Sequence, residues 1–439
     1  MPRTPFRKLL KHRVVLTMQR VLGRSGGDFH AWLGPATSGE CSVPFFACGE
    51  PTRPAIGTRP SRERSTRSLA AAPSRLVEAP SRRFKNVQVE VTSRCNLRCR
   101  TCLYASFEPQ WKSQDLSPWA FERILEVAHR CDSLHLQGWG ETLLRDDVPD
   151  LICRAKRCGS RVTLSSNGTL PSCAGDGELV EAGLDSMAFS FAGASAEWHD
   201  SLRGEGTFSA AEASVLRFSQ VRGAGRFPPL LLNYLLTPAN IPALERAVAL
   251  CARLGADGIV PTHMVHVSTR EQDKLVAYDR NLPFRWSFAK SRFSALLRRV
   301  SLVLPRLTGA VVPVCEKNPL ESFFVGSDGS VSPCVYLNPP LQGEFPRVFR
   351  GRETTTSRVV MGNLHDSTID EIWDSAAYIS FREIFRARVK VHDTLLSGVT
   401  PDFDGMARLD RSVARLRELY AEELAAPEPC RVCGQLYGL

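Results

Sequence analysis

Cys95-Asn96-Leu97-Arg98-Cys99-Arg100-Thr101-Cys102 places three cysteines within eight residues, directly after an extended run of alternating apolar residues at 87–91. Three thiolates can ligate three irons of a [4Fe–4S] cluster and leave the fourth iron free to bind a small molecule. A structural zinc ion is the alternative, but it needs four ligands, and the next thiol, Cys131, lies beyond a predicted helix. The spacing therefore favours an iron–sulfur site with one open iron.

The positive charge of the chain is concentrated at its N-terminal end. The 439 residues carry a net charge of +10, but residues 1–85 contain 16 Lys and Arg against 5 Asp and Glu, and the remainder contains 40 against 41. Binding to a nucleic-acid backbone requires basic residues concentrated on a recognition face, and no such concentration exists beyond Lys85. The composition therefore argues against nucleic acid as a partner.

Residues 1–85 are predicted to form a largely disordered, basic extension, because a segment so rich in Gly, Pro, Arg and Ser cannot bury much apolar surface. Its Arg-rich, acid-poor composition fits an organellar transit peptide or a dispensable leader. The 14 cysteines and the lack of a recognisable secretory segment indicate reduced thiols and metal ligation, so we expect a cytoplasmic location. The stretch 301–314 is too short, and too interrupted by Pro and Arg, to span a membrane.

From Asn86 onward, short β-rich runs alternate with helical patterns, which predicts an α/β fold. Such alternation leads to parallel strands joined by right-handed crossovers. We expect residues 86–264 to form a partial, six-stranded parallel β/α barrel and residues 265–314 to form a helical connection. The six predicted strands cover residues 87–91, 133–137, 161–165, 186–191, 230–236 and 258–261.

Residues 315–439 have a different pattern and are predicted to form a small α+β domain, with helices around 368–388 and 405–424. The turn Gly326-Ser327-Asp328-Gly329 separates two apolar runs and predicts a hairpin. Four thiolates in this domain suffice for one [4Fe–4S] cluster, and a zinc site built from the same thiolates is the alternative. They belong to Cys315, Cys334, Cys430 and Cys433.

Further motifs of the first domain coincide with the carboxyl ends of predicted strands, where parallel barrels bind their ligands. Two of them follow the second and third strands: Gly138-Trp139-Gly140-Glu141 and Ser166-Asn167-Gly168-Thr169. Ser190 closes the fourth strand, and Arg203 lies in the loop beyond it. Each motif is weak alone, but the ordered set behind the cysteine loop indicates one shared site.

This ordered set resembles the radical S-adenosylmethionine (radical SAM) enzymes over residues 86–262. The resemblance implies that Cys95, Cys99 and Cys102 ligate a [4Fe–4S] cluster that binds S-adenosylmethionine. Thr101 and Thr142 depart from the family, which often has an aromatic residue and a proline at these positions. The resemblance also implies that Gly138, Gly140 and Glu141 contact the methionine amino group. It implies that Ser190 contacts the ribose and that Arg203 contacts the methionine carboxylate.

The second cysteine set resembles the C-terminal auxiliary-cluster modules of the same family, the SPASM and twitch domains. A full SPASM domain carries enough cysteines for two clusters, so the four cysteines of this chain fit the shorter, one-cluster, twitch-like version better. The resemblance implies one auxiliary [4Fe–4S] cluster, ligated by Cys315, Cys334, Cys430 and Cys433.

The activity implied by the resemblance is reductive cleavage of S-adenosylmethionine to a 5′-deoxyadenosyl radical, which abstracts hydrogen from a substrate. Ferredoxin or flavodoxin is the expected type of electron donor, and maturation of a peptide, a protein or a cofactor is the expected role. Residues 318–338 weakly resemble maturases that accompany tungsten-dependent aldehyde oxidoreductases. Dehydrogenation of a small molecule such as a sugar or alcohol, and a non-catalytic iron–sulfur or zinc scaffold, are the alternatives.

Overall fold

The computed structural model describes residues 82–170, 175–280, 284–400 and 402–439, and Arg82–Leu439 belong to one compact unit. Nearly all of the predicted basic extension, residues 1–81, lies outside the described residues. Its last residues take part in the fold, since the guanidinium of Arg82 donates hydrogen bonds to Asp370 at 3.0 Å and to Asp374 at 2.8 Å. The predicted domain boundaries stay a prediction.

Six parallel strands form the middle of the main sheet, in chain order and each paired with the next. Most of their residues are buried, as expected for parallel strands that are covered on both faces, although polar residues interrupt the apolar ones. The predicted α/β fold with a partial parallel β/α barrel is confirmed. The strands are β1 (Phe84–Val89), β2 (Cys131–Leu136), β3 (Arg161–Ser166), β4 (Ser186–Phe191), β5 (Leu230–Leu235) and β6 (Gly258–Thr262).

Amphipathic helices connect these strands and cover the sheet. The clearest start is at Pro118, where the Ser117 hydroxyl accepts a hydrogen bond from the Ala120 backbone N–H at 3.2 Å and proline takes the first helical position. The helices of this region are α1 (Leu103–Ser106), α2 (Pro118–Ala128), α3 (Val148–Arg157), α4 (Asp176–Glu181), α5 (Ala196–Arg203), α6 (Thr207–Val221), α7 (Leu244–Arg253), α8 (Arg270–Lys274) and α9 (Arg285–Arg298).

The sheet continues beyond the six predicted strands at both edges. Beside β6 lies the short β7 (Ser301–Leu302), and beside β1 lies β8 (Ser322–Val325), parallel to it, followed by β9 (Ser330–Ser332) and β12 (Gly362–Asn363). The predicted hairpin at 326–329 is confirmed, since it joins β8 to β9. Over the described residues the sheet therefore has ten strands, and residues 315–439, the C-terminal module, extend it directly.

Burial of aromatic side chains explains this attachment. All four residues of β8 are buried, and the ring of Phe323 lies edge-on to that of Phe84 with centroids 5.0 Å apart. Trp373 packs on both rings. Burial of three such side chains stabilises the contact by several kcal/mol, at roughly 1.5–3 kcal/mol each.

The remaining elements of the C-terminal module are a two-stranded sheet and four helices. The two strands are antiparallel and joined by a two-residue turn, Arg350-Gly351. Among the described residues, every helix is too short or too polar to cross a lipid bilayer. The elements are β10 (Glu344–Phe349), β11 (Arg352–Ser357), α10 (Ile369–Trp373), α11 (Ala376–Leu396), α12 (Phe403–Ala421) and α13 (Glu428–Arg431).

Candidate functional site

The cysteine loop lies at the carboxyl end of β1 and is held from two sides at Arg100. Its backbone N–H donates to the Leu202 carbonyl at 2.9 Å, and its own carbonyl accepts from the side-chain amide of Gln272 at 3.0 Å. Leu202 belongs to α5 and Gln272 to α8. The loop therefore has a fixed position above the strand ends.

Asn96, the residue after Cys95, connects the loop to the motif that follows β3. Its side-chain oxygen accepts a hydrogen bond from the Asn167 amide at 2.9 Å, and its amide donates to the Thr169 hydroxyl at 2.8 Å. Asn167 is itself fixed, because its side-chain oxygen accepts from the Thr169 backbone N–H at 2.9 Å. Two of the predicted motifs thus form one hydrogen-bonded network.

The three thiols of the loop are free and partly buried. Burial raises the pKa of Cys95 to about 11 and that of Cys102 to about 12, so both are protonated at neutral pH until a metal binds. Cys95 and Cys102 pack against an apolar cluster that contains Tyr104, Trp111 and Phe345. The Tyr104 and Trp111 rings stack with centroids 4.4 Å apart, so an aromatic pair lies in the apolar cluster against which the two thiols pack.

Gly138 and Gly140 are required by close packing within the protein. A Cβ atom at Gly138 would lie 2.4 Å from the Glu90 side chain, and one at Gly140 would lie 2.2 Å from the Thr92 carbonyl oxygen. The backbone after β2 therefore runs directly against the segment that leads into the cysteine loop. This contact is a reason for glycine in addition to the predicted approach of a cofactor.

Glu141 is buried, and both of its carboxylate oxygens accept backbone hydrogen bonds. One accepts from the Leu143 N–H at 3.1 Å and the other from the Asn167 N–H at 2.7 Å. Burial raises the pKa of Glu141, whereas these hydrogen bonds and the charge of Arg203 lower it by less. Its carboxylate thus joins the loops after β2 and β3.

Ser190 and Arg203 lie on the same side of the barrel as the cysteine loop. Ser190 is half-buried on β4, opposite Asn233 of β5. Arg203 is the last residue of α5, and its positive charge opposes the raised pKa values of Cys102 and Glu141. The charge of Arg203 therefore acts on a thiol of the cysteine loop and on Glu141, which is consistent with the predicted carboxylate site.

The second cysteine set also comes together, although its members are up to 118 residues apart in the chain. Burial raises the pKa of Cys315 to about 12 and of Cys334 to about 11, and the neighbouring thiol of Cys433 raises both further. Burial raises the pKa of Cys430 well above its ordinary value, and the neighbouring thiols of Cys334, Cys315 and Cys433 raise it further. All four thiols are free.

The donor chemistry of both sets fits iron–sulfur clusters. Each consists of free thiols, which become thiolate ligands when they bind iron. In the described part of the chain, no three His, Cys, Asp or Glu side chains are arranged to hold a single metal ion. The individual ligands remain predictions.

Glu90, which no sequence motif marked, links the loop after β2 to the C-terminal hairpin turn. Glu90 is buried with a pKa raised by burial to about 7, and it accepts from the N–H groups of Trp139 at 2.8 Å and Ser327 at 3.2 Å. The Trp139 indole donates to the Val335 carbonyl at 3.1 Å, beside Cys334. The sequence contained one indication of this role, because Glu90 is the only acidic residue of the predicted strand 87–91.

Comparison with known proteins agrees with this geometry. The sequence model of the radical SAM superfamily matches residues 89–230, and that of the SPASM domain, described as an iron–sulfur cluster-binding domain, matches residues 315–394. The chain is a radical SAM enzyme. It uses a [4Fe–4S] cluster with S-adenosylmethionine, and its SPASM region is an auxiliary iron–sulfur domain.

Two similar proteins act on cofactors, according to their names. A tungsten-containing aldehyde ferredoxin oxidoreductase cofactor-modifying protein of Pyrococcus furiosus is 24% identical over 313 residues, which cover 69% of this radical SAM enzyme and 84% of the relative. An AdoMet-dependent heme synthase of Oleidesulfovibrio alaskensis is 24% identical over 327 residues, with 69% and 78% covered.

The fold has a counterpart among solved structures. Streptococcus suis SuiB bound to S-adenosylmethionine superimposes with a TM-score of 0.52 at 15% identity, over 69% of this chain and 68% of SuiB. At this identity the likeness concerns the fold alone.

Proposed function

We propose that the enzyme abstracts a hydrogen atom from its substrate during the maturation of a cofactor, a peptide or a protein. In this proposal Cys95, Cys99 and Cys102 ligate the cluster that binds S-adenosylmethionine. The bound cluster and S-adenosylmethionine supply a 5′-deoxyadenosyl radical by one-electron reductive cleavage. The protein residues bind, orient and shield these groups.

The observation that carries the proposal is the fixed cysteine loop at the carboxyl edge of the sheet. Asn96 ties it to the loop after β3 at 2.8 and 2.9 Å, and Arg100 ties it to α5 at 2.9 Å. A reactive radical requires a rigid site, because reaching the correct hydrogen atom depends on position. Three thiols on a loop fixed by two neighbouring elements meet this requirement.

Residues around the loop complete the proposed cofactor site. Arg203 is suited to pair with the methionine carboxylate, since a guanidinium can donate two parallel hydrogen bonds to it. Ser190 lies at the end of β4, where its hydroxyl can meet the ribose. Glu141, together with Gly138 and Gly140, sets the path of the backbone that would meet the methionine amino group.

Cys315, Cys334, Cys430 and Cys433 are the proposed ligands of one auxiliary [4Fe–4S] cluster. Four thiolates leave no open iron, so electron transfer to or from the substrate is the role we propose for it. An external donor such as ferredoxin or flavodoxin, and a reducing cytoplasmic setting, belong to the same proposal.

Maturation of a cofactor is favoured over modification of a peptide by the two relatives whose names refer to cofactors. Each aligns with 69% of this chain. The fold likeness to SuiB does not bear on the substrate.

The test is formation of 5′-deoxyadenosine by anaerobically reconstituted protein with S-adenosylmethionine and dithionite. We expect product from the wild type and from Cys153→Ala, a control in which a half-buried thiol of α3 is removed. We expect none from Cys99→Ala. Equal product from both variants would overturn the proposed ligation, and no product from any protein would favour a scaffold.

A further inference from the structure

The guanidinium of Arg347 is buried and has no hydrogen-bonding partner among the described residues. Its exposed fraction is 1%, and within the part of the chain that the structure describes none of its three guanidinium nitrogens has an acceptor. Other buried arginines differ: Arg388, 3% exposed, donates to the carbonyls of Pro313 at 2.9 Å and Leu424 at 2.7 Å. An unpaired buried charge costs several kcal/mol, which folding does not recover unless a bound group, either the auxiliary cluster or a ligand, supplies the counter-charge.

Arg347 lies between the two cysteine sets. It belongs to β10, where residues two apart share a face, so its side chain is on the same face as that of Phe345. Phe345 packs in the apolar cluster that includes Cys95 and Cys102. On the other side, the charge of Arg347 opposes the raised pKa of Cys430. The guanidinium therefore lies between the residues of the proposed radical site and those of the proposed auxiliary cluster.

The ring of His266 is a second polar group without a hydrogen-bonding partner in the same region. Both ring nitrogens of His266 are buried and, among the described residues, lack hydrogen-bond partners. Burial and the charge of Arg347 keep the pKa of His266 well below its ordinary value, so the ring is neutral and can donate one hydrogen bond. Its ring lies 5.4 Å from that of Trp139 and 5.7 Å from that of Phe345.

We propose that Arg347 binds a carboxylate of the substrate and that His266 donates a further hydrogen bond to it. This inference rests on the proposed function, because it places the substrate between the two clusters. One guanidinium matches one carboxylate in charge and in its two-pronged geometry. The rings of Trp139 and Phe345 give the rest of the site an apolar surface. A phosphate dianion would need a second cation.

The test measures binding of propionate to the reconstituted holoenzyme by saturation-transfer NMR, without reductant. Propionamide, which has nearly the same shape but no charge, is the matched ligand. We expect millimolar affinity for propionate, typical of so small a ligand, no detectable binding of propionamide, and at least about tenfold weaker binding of propionate to Arg347→Met. Because no S-adenosylmethionine is cleaved, a failure of the proposed radical chemistry does not change this result.

Three controls make the result decisive. Arg388→Met should bind propionate like the wild type. Inorganic phosphate should not compete with propionate. N-acetylglutamate N-methylamide distinguishes the two possible kinds of substrate. If it binds more tightly than propionate, the substrate carboxylate belongs to a peptide. If it does not bind, the substrate is a smaller molecule. Equal propionate binding by Arg347→Met and the wild type, binding of propionamide, or no binding of propionate to the wild type would each overturn the proposal.

Thermal unfolding of the holoenzyme gives an independent readout. Removing an unpaired buried charge should leave the midpoint of Arg347→Met unchanged or raise it, whereas Arg388→Met should lower it by several degrees, because it leaves backbone carbonyls unpaired. If the unfolding midpoint of Arg347→Met falls as much as that of Arg388→Met, the protein or its auxiliary cluster already pairs the charge of Arg347. That result would overturn the proposal.

Discussion

The side-chain amide of Asn167 donates a 2.9 Å hydrogen bond to the side-chain oxygen of Asn96, which joins the loop after β3 to the cysteine loop. The side-chain oxygen of Asn167 accepts a hydrogen bond from the Thr169 backbone N–H at 2.9 Å. We expect Asn167→Ala to lower the rate of 5′-deoxyadenosine formation about tenfold, because loss of these two hydrogen bonds, each worth about 1 kcal/mol, releases the loop. Iron content should not change; an unchanged rate would contradict the positioning role.

Gly140→Ala should destabilise the protein strongly. The added Cβ atom would meet the backbone oxygens of Thr92 and Arg94 at 2.2 and 2.6 Å, and neither can move without displacing the segment before Cys95. We expect a loss of at least about 1–3 kcal/mol in the free energy of unfolding, or no folded protein. Gly175→Ala, where a Cβ atom meets nothing within 4 Å, is the matched control. Equal stability of the two variants by denaturant unfolding would contradict the packing described.

Glu90 should make stability depend on pH. Burial raises its folded-state pKa from 4.5 to about 7, so the folded state binds more protons than the unfolded state between these values. Stability from this residue is therefore present below about pH 4.5 and is lost as the pH rises towards 7. Relative to Glu90→Gln, the free energy of unfolding of the wild type should fall by up to about 3 kcal/mol across this interval. Parallel pH profiles for both proteins would show that Glu90 does not titrate there.

Cys430→Ala should separate the two proposed clusters. We expect it to lose about half of its iron and all turnover of substrate, yet to form 5′-deoxyadenosine, because the cysteine loop is untouched. Cys158→Ala, at the end of α3, is the control and should keep both iron and turnover. Loss of 5′-deoxyadenosine formation in Cys430→Ala to the level of Cys99→Ala would argue against separate roles.

The sequence was sufficient for the local order of the barrel but not for its long-range pairings. Apolar runs bounded by turns predicted all six central strands, with β1 displaced from 87–91 to Phe84–Val89 and β2 from 133–137 to Cys131–Leu136. The parallel pairing of β8 with β1 was missed, because it joins residues more than 230 positions apart and depends on the packing of Phe323 against Phe84.

The β10–β11 hairpin was also missed. Its turn residues, Arg350 and Gly351, have φ values of 53° and 75°, the left-handed backbone of a two-residue hairpin turn. Because β11 is mostly polar and exposed, it lacks the apolar alternation that predicts a strand. With the hairpin unrecognised, Arg347 could not be placed between the two cysteine sets, and no sequence pattern distinguishes an unpaired buried arginine from a surface one.

Electron paramagnetic resonance of the reduced protein, with and without S-adenosylmethionine, tests most directly whether the cysteine loop holds a cluster with an open iron. In Cys430→Ala, which retains only the proposed N-terminal cluster, S-adenosylmethionine should change the spectrum. In Cys99→Ala it should leave the remaining signal unchanged. A spectrum of Cys430→Ala that does not respond to S-adenosylmethionine, or zinc in place of iron at Cys95, Cys99 and Cys102, would contradict the account.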